Sequence, residues 1–318
     1  MRTSLFPMLV LFVVTAPRAT AQTLEPRAVV PAGGAGEGGG SSLNWTLGQP
    51  ASATYSASGN LLTAGVQQPE GLRLSMNIIA LLDGPSSPGA DRMHDSLRTR
   101  GLLPVTEPYT ALGHPPVGLQ GAGVLHATAL LHSGDDAVVD WVFVELRAAD
   151  DAGRIDAARA GLLQRDGDVV DVDGVSPLRI TAAPGSYHLA LLHRNHLPVM
   201  TQDPVLLGTG PNAFDLSTSG TALHVPDALT QRNGRHLLWS GDVSGDGTVM
   251  YTGADNDRDL VLQAIGGTVP TNTVSGYTPT DVNMDGTVRY TGADNDRDPI
   301  LRNIGGTVPT NVRAQPLP

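Results

Sequence analysis

Between Leu74 and about Gly220 the chain alternates apolar and polar residues in short runs broken by turn signals. Leu125, Ala127, Ala129 and Leu131 share one parity, opposite Val124, His126, Thr128, Leu130 and His132, which is the period of a half-buried strand. Val138 to Leu146 is nearly continuously apolar and carries Trp141 and Phe143, which predicts a buried strand. Leu162-Leu163-Gln164-Arg165 and Val169-Val170 flank Asp166-Gly167, a short-range hairpin signal. Leu178-Arg179-Ile180 then leads through Pro184-Gly185 into Tyr187–Leu192, where Tyr187, Leu189 and Leu191 face one way. Several strands with short connections predict a mainly β fold, with an antiparallel β-sandwich over residues 72–225. A parallel α/β sheet would need helical crossovers of about a dozen residues. Only Asp91–Arg100 and Asp151–Ala160 approach that pattern, and both are short and rich in charge.

The remaining segments divide the chain further. Arg2, an apolar stretch from Leu5 to Ala16 and the small residues Ala19-Thr20-Ala21 predict a signal peptide over residues 1–21, cleaved near Ala21. As a helix that stretch spans about 18 Å, too short for a hydrocarbon core of about 30 Å. No later run is long enough to cross a membrane, so a secreted or cell-surface protein is expected. Residues 22–71 read as a glycine-rich leader and a small β-hairpin unit, with strands at Leu43–Leu47 and Asn60–Ala64. Residues 226–240 read as a linker, and residues 241–318 hold an internal repeat.

In that repeat, Asp242-Val-Ser-Gly-Asp246-Gly247-Thr248-Val249 recurs as Asp281-Val-Asn-Met-Asp285-Gly286-Thr287-Val288. The match continues through Asp255-Asn256-Asp257-Arg258-Asp259 and Asp294-Asn295-Asp296-Arg297-Asp298. Residues 242–272 and 281–311 agree at 24 of 31 places, which only duplication explains. Oxygen donors at the first, third and fifth positions, a carbonyl at the seventh and glycine at the sixth describe a loop for Ca2+. The donors are Asp242, Ser244, Asp246 and Thr248 in one copy, and Asp281, Asn283, Asp285 and Thr287 in the other. Two Ca2+ sites are therefore expected. The twelfth position is Gly253 or Gly292, so a later aspartate must close each loop. Pro299 favours the first helical position, which points to Asp298, and by register Asp259, at the start of a short helix. Asp259 and Asp298 are thus the preferred closing ligands, with Asp257 and Asp296 next and Asp255 and Asp294 after them.

Composition narrows the chemistry. The absence of cysteine excludes disulfides, thiolate metal sites and a cysteine nucleophile. The net charge is −11 and every basic residue is arginine, with no basic run, so nucleic acid and anionic lipid are poor partners. His193-Arg194-Asn195-His196 has an H-x-x-H spacing near His188, but zinc usually takes three or four protein ligands. That corner reads as structural, or as a recognition surface. No His-Glu-x-x-His or Gly-x-Ser-x-Gly motif is present, and Asp166, Asp168, Asp171 and Asp173 look like solvated turn acids. No catalytic residue is assigned and no enzyme is expected.

The repeats resemble the type I dockerin module, whose paired F-hand loops open with the same D-x-N-x-D-G-x-V pattern before a helix. The inserted Tyr-Thr-Gly-Ala-Asp-Asn-Asp-Arg-Asp run departs from the cellulosomal form. The wider layout resembles secreted, haemagglutinin-like surface proteins of Gram-negative bacteria, through Gly65-Val66-Gln67-Gln68-Pro69, Arg194-Asn195-His196-Leu197 and the repeat itself. That resemblance implies a non-catalytic adhesion or binding protein whose partner is a protein or glycan at the cell surface. The alternative is an accessory or catalytic component of polysaccharide degradation, docked through the dockerin-like tail. It would rely on Trp45 and Trp239 to stack sugars, because Trp141 lies within the apolar strand.

Overall fold

A computed structural model of the chain describes residues 72–86, 89, 91–121, 123–315 and 317–318, together with the backbone of four strands before them. The predicted signal peptide and the Gly-Val-Gln-Gln-Pro element lie outside the described residues. The chain divides into two compact units, residues 1–69 and 70–318.

In the first unit β1 (Ala32–Gly38) pairs antiparallel with β2 (Ser41–Leu47), and β3 (Ala53–Ala57) with β4 (Asn60–Ala64). The strands expected at 43–47 and 60–64 are present. The glycine-rich run expected as leader supplies β1.

The second unit is built on one nine-stranded sheet. Its strands are β5 (Arg73–Ile79), β6 (Val138–Ala148), β7 (Asp151–Gln164), β8 (Asp168–Val170), β9 (Leu178–Thr181), β10 (Gly185–His193), β11 (His196–Met200), β12 (Val205–Leu207) and β13 (Pro211–Asp215). They run in the order β11-β10-β6-β7-β8-β5-β13, with β12 also on β10 and β9 also on β5. All pairs are antiparallel except β13 with β5. Pairing joins these nine strands into a single sheet, so the layers of a sandwich would have to arise by folding within it.

All of β6 is buried, as its apolar run predicted. Its Trp141 donates to the Pro104 carbonyl at 3.0 Å, and Tyr109 lies 5.1 Å from the Phe143 ring while donating to the Trp141 carbonyl. The irregular segment around residues 104–114 therefore covers that face of the sheet. Asp151–Ala160, weighed as a helix above, belongs to β7. Among the described residues of the body the one α-helix is the short α1 (Ser96–Thr99).

Two expectations are corrected. The alternating run at 124–132 is a 3-10 turn over Ala127–Leu131 rather than a strand. Of the residues of one strand parity, Leu125 and Ala129 are buried while Ala127 and Leu131 are exposed, so the two-residue period fails; Val124 stays exposed as well. Residues 226–240 are not a plain linker but hold the hairpin β14 (Leu229–Arg232) and β15 (Arg235–Leu238). Leu237 and Leu238 are buried, and Leu238 donates to the Leu81 carbonyl and accepts from Asp83. Those bonds fix the hairpin to the body.

The repeat contributes β16 (Thr248–Met250), α2 (Asp257–Ala264), β17 (Thr273–Ser275), β18 (Thr287–Arg289), α3 (Arg297–Asn303) and β19 (Val312–Ala314). The strand of each loop pairs with the segment that follows the other copy's helix: β16 with β19, and β18 with β17, in the same register. The exchange repeats in side chains, since Thr252 donates to the Pro309 carbonyl and Thr291 to that of Pro270. Val243, Val249, Val261 and Ile265 share a small core with their equivalents Val282, Val288, Ile300 and Ile304, and Leu197 of β11 joins it. Neither copy can bury its apolar face without the other.

Candidate metal centres

Each loop turns tightly at its sixth residue, where Gly247 and Gly286 take φ of 78° and 84°. Such angles put an ordinary side chain against the backbone, which explains glycine at both places. The turn points loop amides inward. Asp242 Oδ1 accepts from the amides of Gly245 and Asp246, and its Oδ2 from Gly247 at 3.0 Å. In the second loop Asp281 Oδ2 accepts from Gly286 at 2.8 Å, while its buried Oδ1 has no hydrogen-bond partner among the described residues.

The aspartates that reach the loops are not the ones preferred from sequence. α2 and α3 begin earlier than Pro299 suggested: Asn256 caps α2, while the residue just before α3 is Asp296, which makes no capping bond, and Asn295 ahead of it accepts from Asp298. Asn256 Oδ1 accepts from the Asp259 amide and its Nδ2 donates back to Asp259 Oδ2; Asn295 and Asp298 do the same. This reciprocal cap turns Asp259 and Asp298 outward, where each pairs with the arginine before it at 2.8 and 2.9 Å. They do not reach the loops. Asp257 and Asp296 do, and both are buried. Asp257 Oδ1 accepts from the amides of Val243 and Ser244, and its Oδ2 from Met250. Asp296 repeats this with Val282, Asn283 and Arg289. Asp255 and Asp294 take left-handed backbone angles on the exposed turn before each helix.

The other donors are less gathered. Ser244 and Asp246 are exposed, and Asp246 accepts from the Thr248 amide. Asn283 Oδ1 accepts from the Asp285 amide, and Asp285 pairs with Arg289 at 2.5 Å. Thr248 and Thr287 are half-buried in β16 and β18. Among the described residues, no three carboxylate or imidazole groups converge closely enough as they stand to hold a metal.

Charge is concentrated all the same. Burial pushes Asp242 up to about 7, and the charges of Asp257 and Asp246 add to the effect. Burial lifts Asp257 to about 6 against its three amide hydrogen bonds. It lifts Asp281 to about 6 against the pull of Arg194, and Asp296 to about 7 with the help of Asp281. Each loop thus holds two carboxylates that burial and repulsion drive toward neutrality. The surrounding donors are all hard oxygens, so the set fits Ca2+ better than a softer metal. An unpartnered buried oxygen on Asp281 is what such an ion would satisfy. Each loop also borders a cavity, of about 340 Å³ beside Asp242 and about 530 Å³ beside Asn283 and Asp285.

The His193–His196 corner is buried and ties the body to the repeat. Asn195 Nδ2 donates to the carbonyls of Pro279 and Asp281, and Arg194 to that of Thr278 while lying 4.3 Å over the Tyr277 ring. Arg194 and the Tyr277 hydroxyl both bind Asp140, in β6. Although burial opposes ionisation, Arg194 and His193 hold the Asp140 carboxyl down at about 2. Asp83 forms a second clasp on the body, bonding Arg232, Ser240, Arg302 and Asn303. Neither anchor was assigned from sequence, although an aspartate inside an apolar run is the signal that could have found Asp140.

The chain matches no protein-family model, no curated protein and no solved structure.

Proposed function

We propose that the chain is a secreted, non-catalytic surface or adhesion protein whose carboxy-terminal repeat is a dockerin-like module holding two Ca2+ ions. The observation that carries the reading is the duplicated loop with two buried carboxylates in each copy, one of them bearing an unpartnered oxygen. In this reading Asp242, Asp246 and Asp257, with Ser244 and the Thr248 carbonyl, hold one ion. Asp281, Asp285 and Asp296, with Asn283 and the Thr287 carbonyl, hold the other. Each ion supplies the positive charge that the loop acids require, and its binding adds to folding stability. The body is read as a sandwich formed within its single sheet, because β6 is buried on both faces. It presents the partner-binding surface, for a protein or glycan outside the cell.

For the polysaccharide-degrading alternative, one face of Trp239 is occupied. Arg313 lies 3.7 Å over the Trp239 ring, and the indole donates to the Asp227 carbonyl, so that ring face is already taken. The Trp45 side chain lies outside the described residues. No described helix is long and apolar enough to cross a membrane.

The test is calorimetric titration of the full-length protein with Ca2+ after chelation, paired with thermal melts. Two bound ions and a higher melting temperature are expected; no heat of binding and an unchanged melt would overturn the reading.

A further inference from the structure

The two loops are nearly the same in sequence, yet one of their few differences changes the charge beside the fifth ligand. Arg289 stands in the second loop where Met250 stands in the first. Arg289 Nη1 holds Asp285 Oδ2 at 2.5 Å, and Asp285 is the counterpart of Asp246. Arg100 of the body adds a second guanidinium, donating to the Asp285 carbonyl at 2.6 Å and to Thr287 Oγ1 at 2.7 Å. Among the described residues no basic side chain pairs with Asp246, whose Oδ1 accepts only the Thr248 amide. The buried Asp281 Oδ1 nevertheless remains unpartnered, so the second loop still presents a free carboxylate oxygen.

We propose that Arg289 is a tethered cation that competes with the divalent ion for Asp285. Filling the second loop then requires Arg289 to release that carboxylate, whereas the first loop, with Met250 in the same place, fills without such a release. This rests on the calcium reading above and specifies which residue makes two matching loops unequal. The release breaks a half-exposed ion pair and leaves a like charge a few ångströms from the ion. Together these weaken binding about tenfold at moderate screening.

The experiment is Ca2+ titration of the full-length protein by calorimetry, in wild type, Arg289→Met and Met250→Arg. Each substitution places the other copy's own residue in the equivalent loop position. Arg289→Met is expected to tighten one class of site about tenfold and leave the other unchanged. Met250→Arg is expected to weaken the class that Arg289→Met leaves alone, by a similar factor. Circular dichroism and the melting temperature verify that each variant is folded, and because the two substitutions act on separate loops, either can carry the test. Binding to two sites that neither substitution moves would overturn the competition and leave the calcium reading intact. Absence of binding in wild type would overturn both.

Discussion

If burial and mutual repulsion hold the loop acids near neutrality, stabilisation by Ca2+ must depend steeply on pH. An aspartate raised to about 7, such as Asp242 or Asp296, costs roughly 2.7 kcal/mol more to keep ionised at pH 5 than at pH 8. One raised to about 6, such as Asp257 or Asp281, costs roughly 1.4 kcal/mol more. Each loop holds one of each kind, so the gain from the ion should grow by about 4 kcal/mol per loop between those pH values. The sign follows from the protons. These carboxyls have folded values above their unfolded ones, so in chelator the folded chain binds more protons and loses stability as pH rises from about 4 through 7. With Ca2+ bound the acids stay ionised, and that loss disappears. Buried His193 and His196, whose protonation burial suppresses, act in the opposite direction. They act alike with and without the ion, so the difference between the two melts removes them. For a unit of this size each kcal/mol moves the midpoint by about 2–4 °C. Scanning calorimetry should show a rise with Ca2+ that is small at pH 5 and larger at pH 8 by about 10 °C per occupied loop. A rise independent of pH, or larger at pH 5, would refute the assignment of buried, proton-holding carboxylates to the ion.

Other outcomes separate the closing residues and the anchors. Asp257→Asn should abolish one class of Ca2+ site in calorimetry, while Asp259→Asn should keep both and cost only about 0.5–1 kcal/mol of stability as a weakened helix cap, measured by urea unfolding. Asn195→Ala removes two bonds to the carbonyls around Asp281 and should cost about 2–4 kcal/mol, with weaker ion binding at the second loop only. Asp83→Ala leaves Arg232 and Asn303 without their carboxylate and should cost about 3 kcal/mol in chemical denaturation, with both ion affinities retained.

The strands that were legible were those with strong local signals. Val138–Leu146 had no polar face to leave in water, and Asp166-Gly167 needed only a turn, with Gly167 at φ 105°. The loops were legible because a glycine and three oxygen donors at fixed spacing leave few alternatives. What could not be read was direction. Asp257 and Asp259 are both early helical residues, and which faces the loop depends on where the helix begins. Asn256 settled that by capping earlier than Pro299 implied. The hairpin at 229–238 was hidden for a related reason, since its place is set by Leu81 and Asp83, far away in sequence.

Three of the seven differences between the repeats acquire a common meaning once the anchors are placed. Met284, where the first copy has Gly245, is buried in the core of the β body rather than in that of the repeat. The Asn283 carbonyl, beside it, meets His94 of the body at 3.1 Å. Arg302 and Asn303, where the first copy has Gln263 and Ala264, are the residues that grip Asp83. A constraint on the loops alone would keep the copies alike, as Asp242 and Asp281 or Asp257 and Asp296 are alike. At Met284, Arg302 and Asn303 the second copy differs where it touches the body, and the first copy keeps Gly245, Gln263 and Ala264 exposed at the equivalent places. A tethered, independent tail would have no reason for that asymmetry. A module fastened by one copy to a rigid β body does, and the fastening runs through the carbonyl of Asp281, an ion-binding residue of the proposed site. Filling the second loop should therefore stiffen the joint as well as the loop.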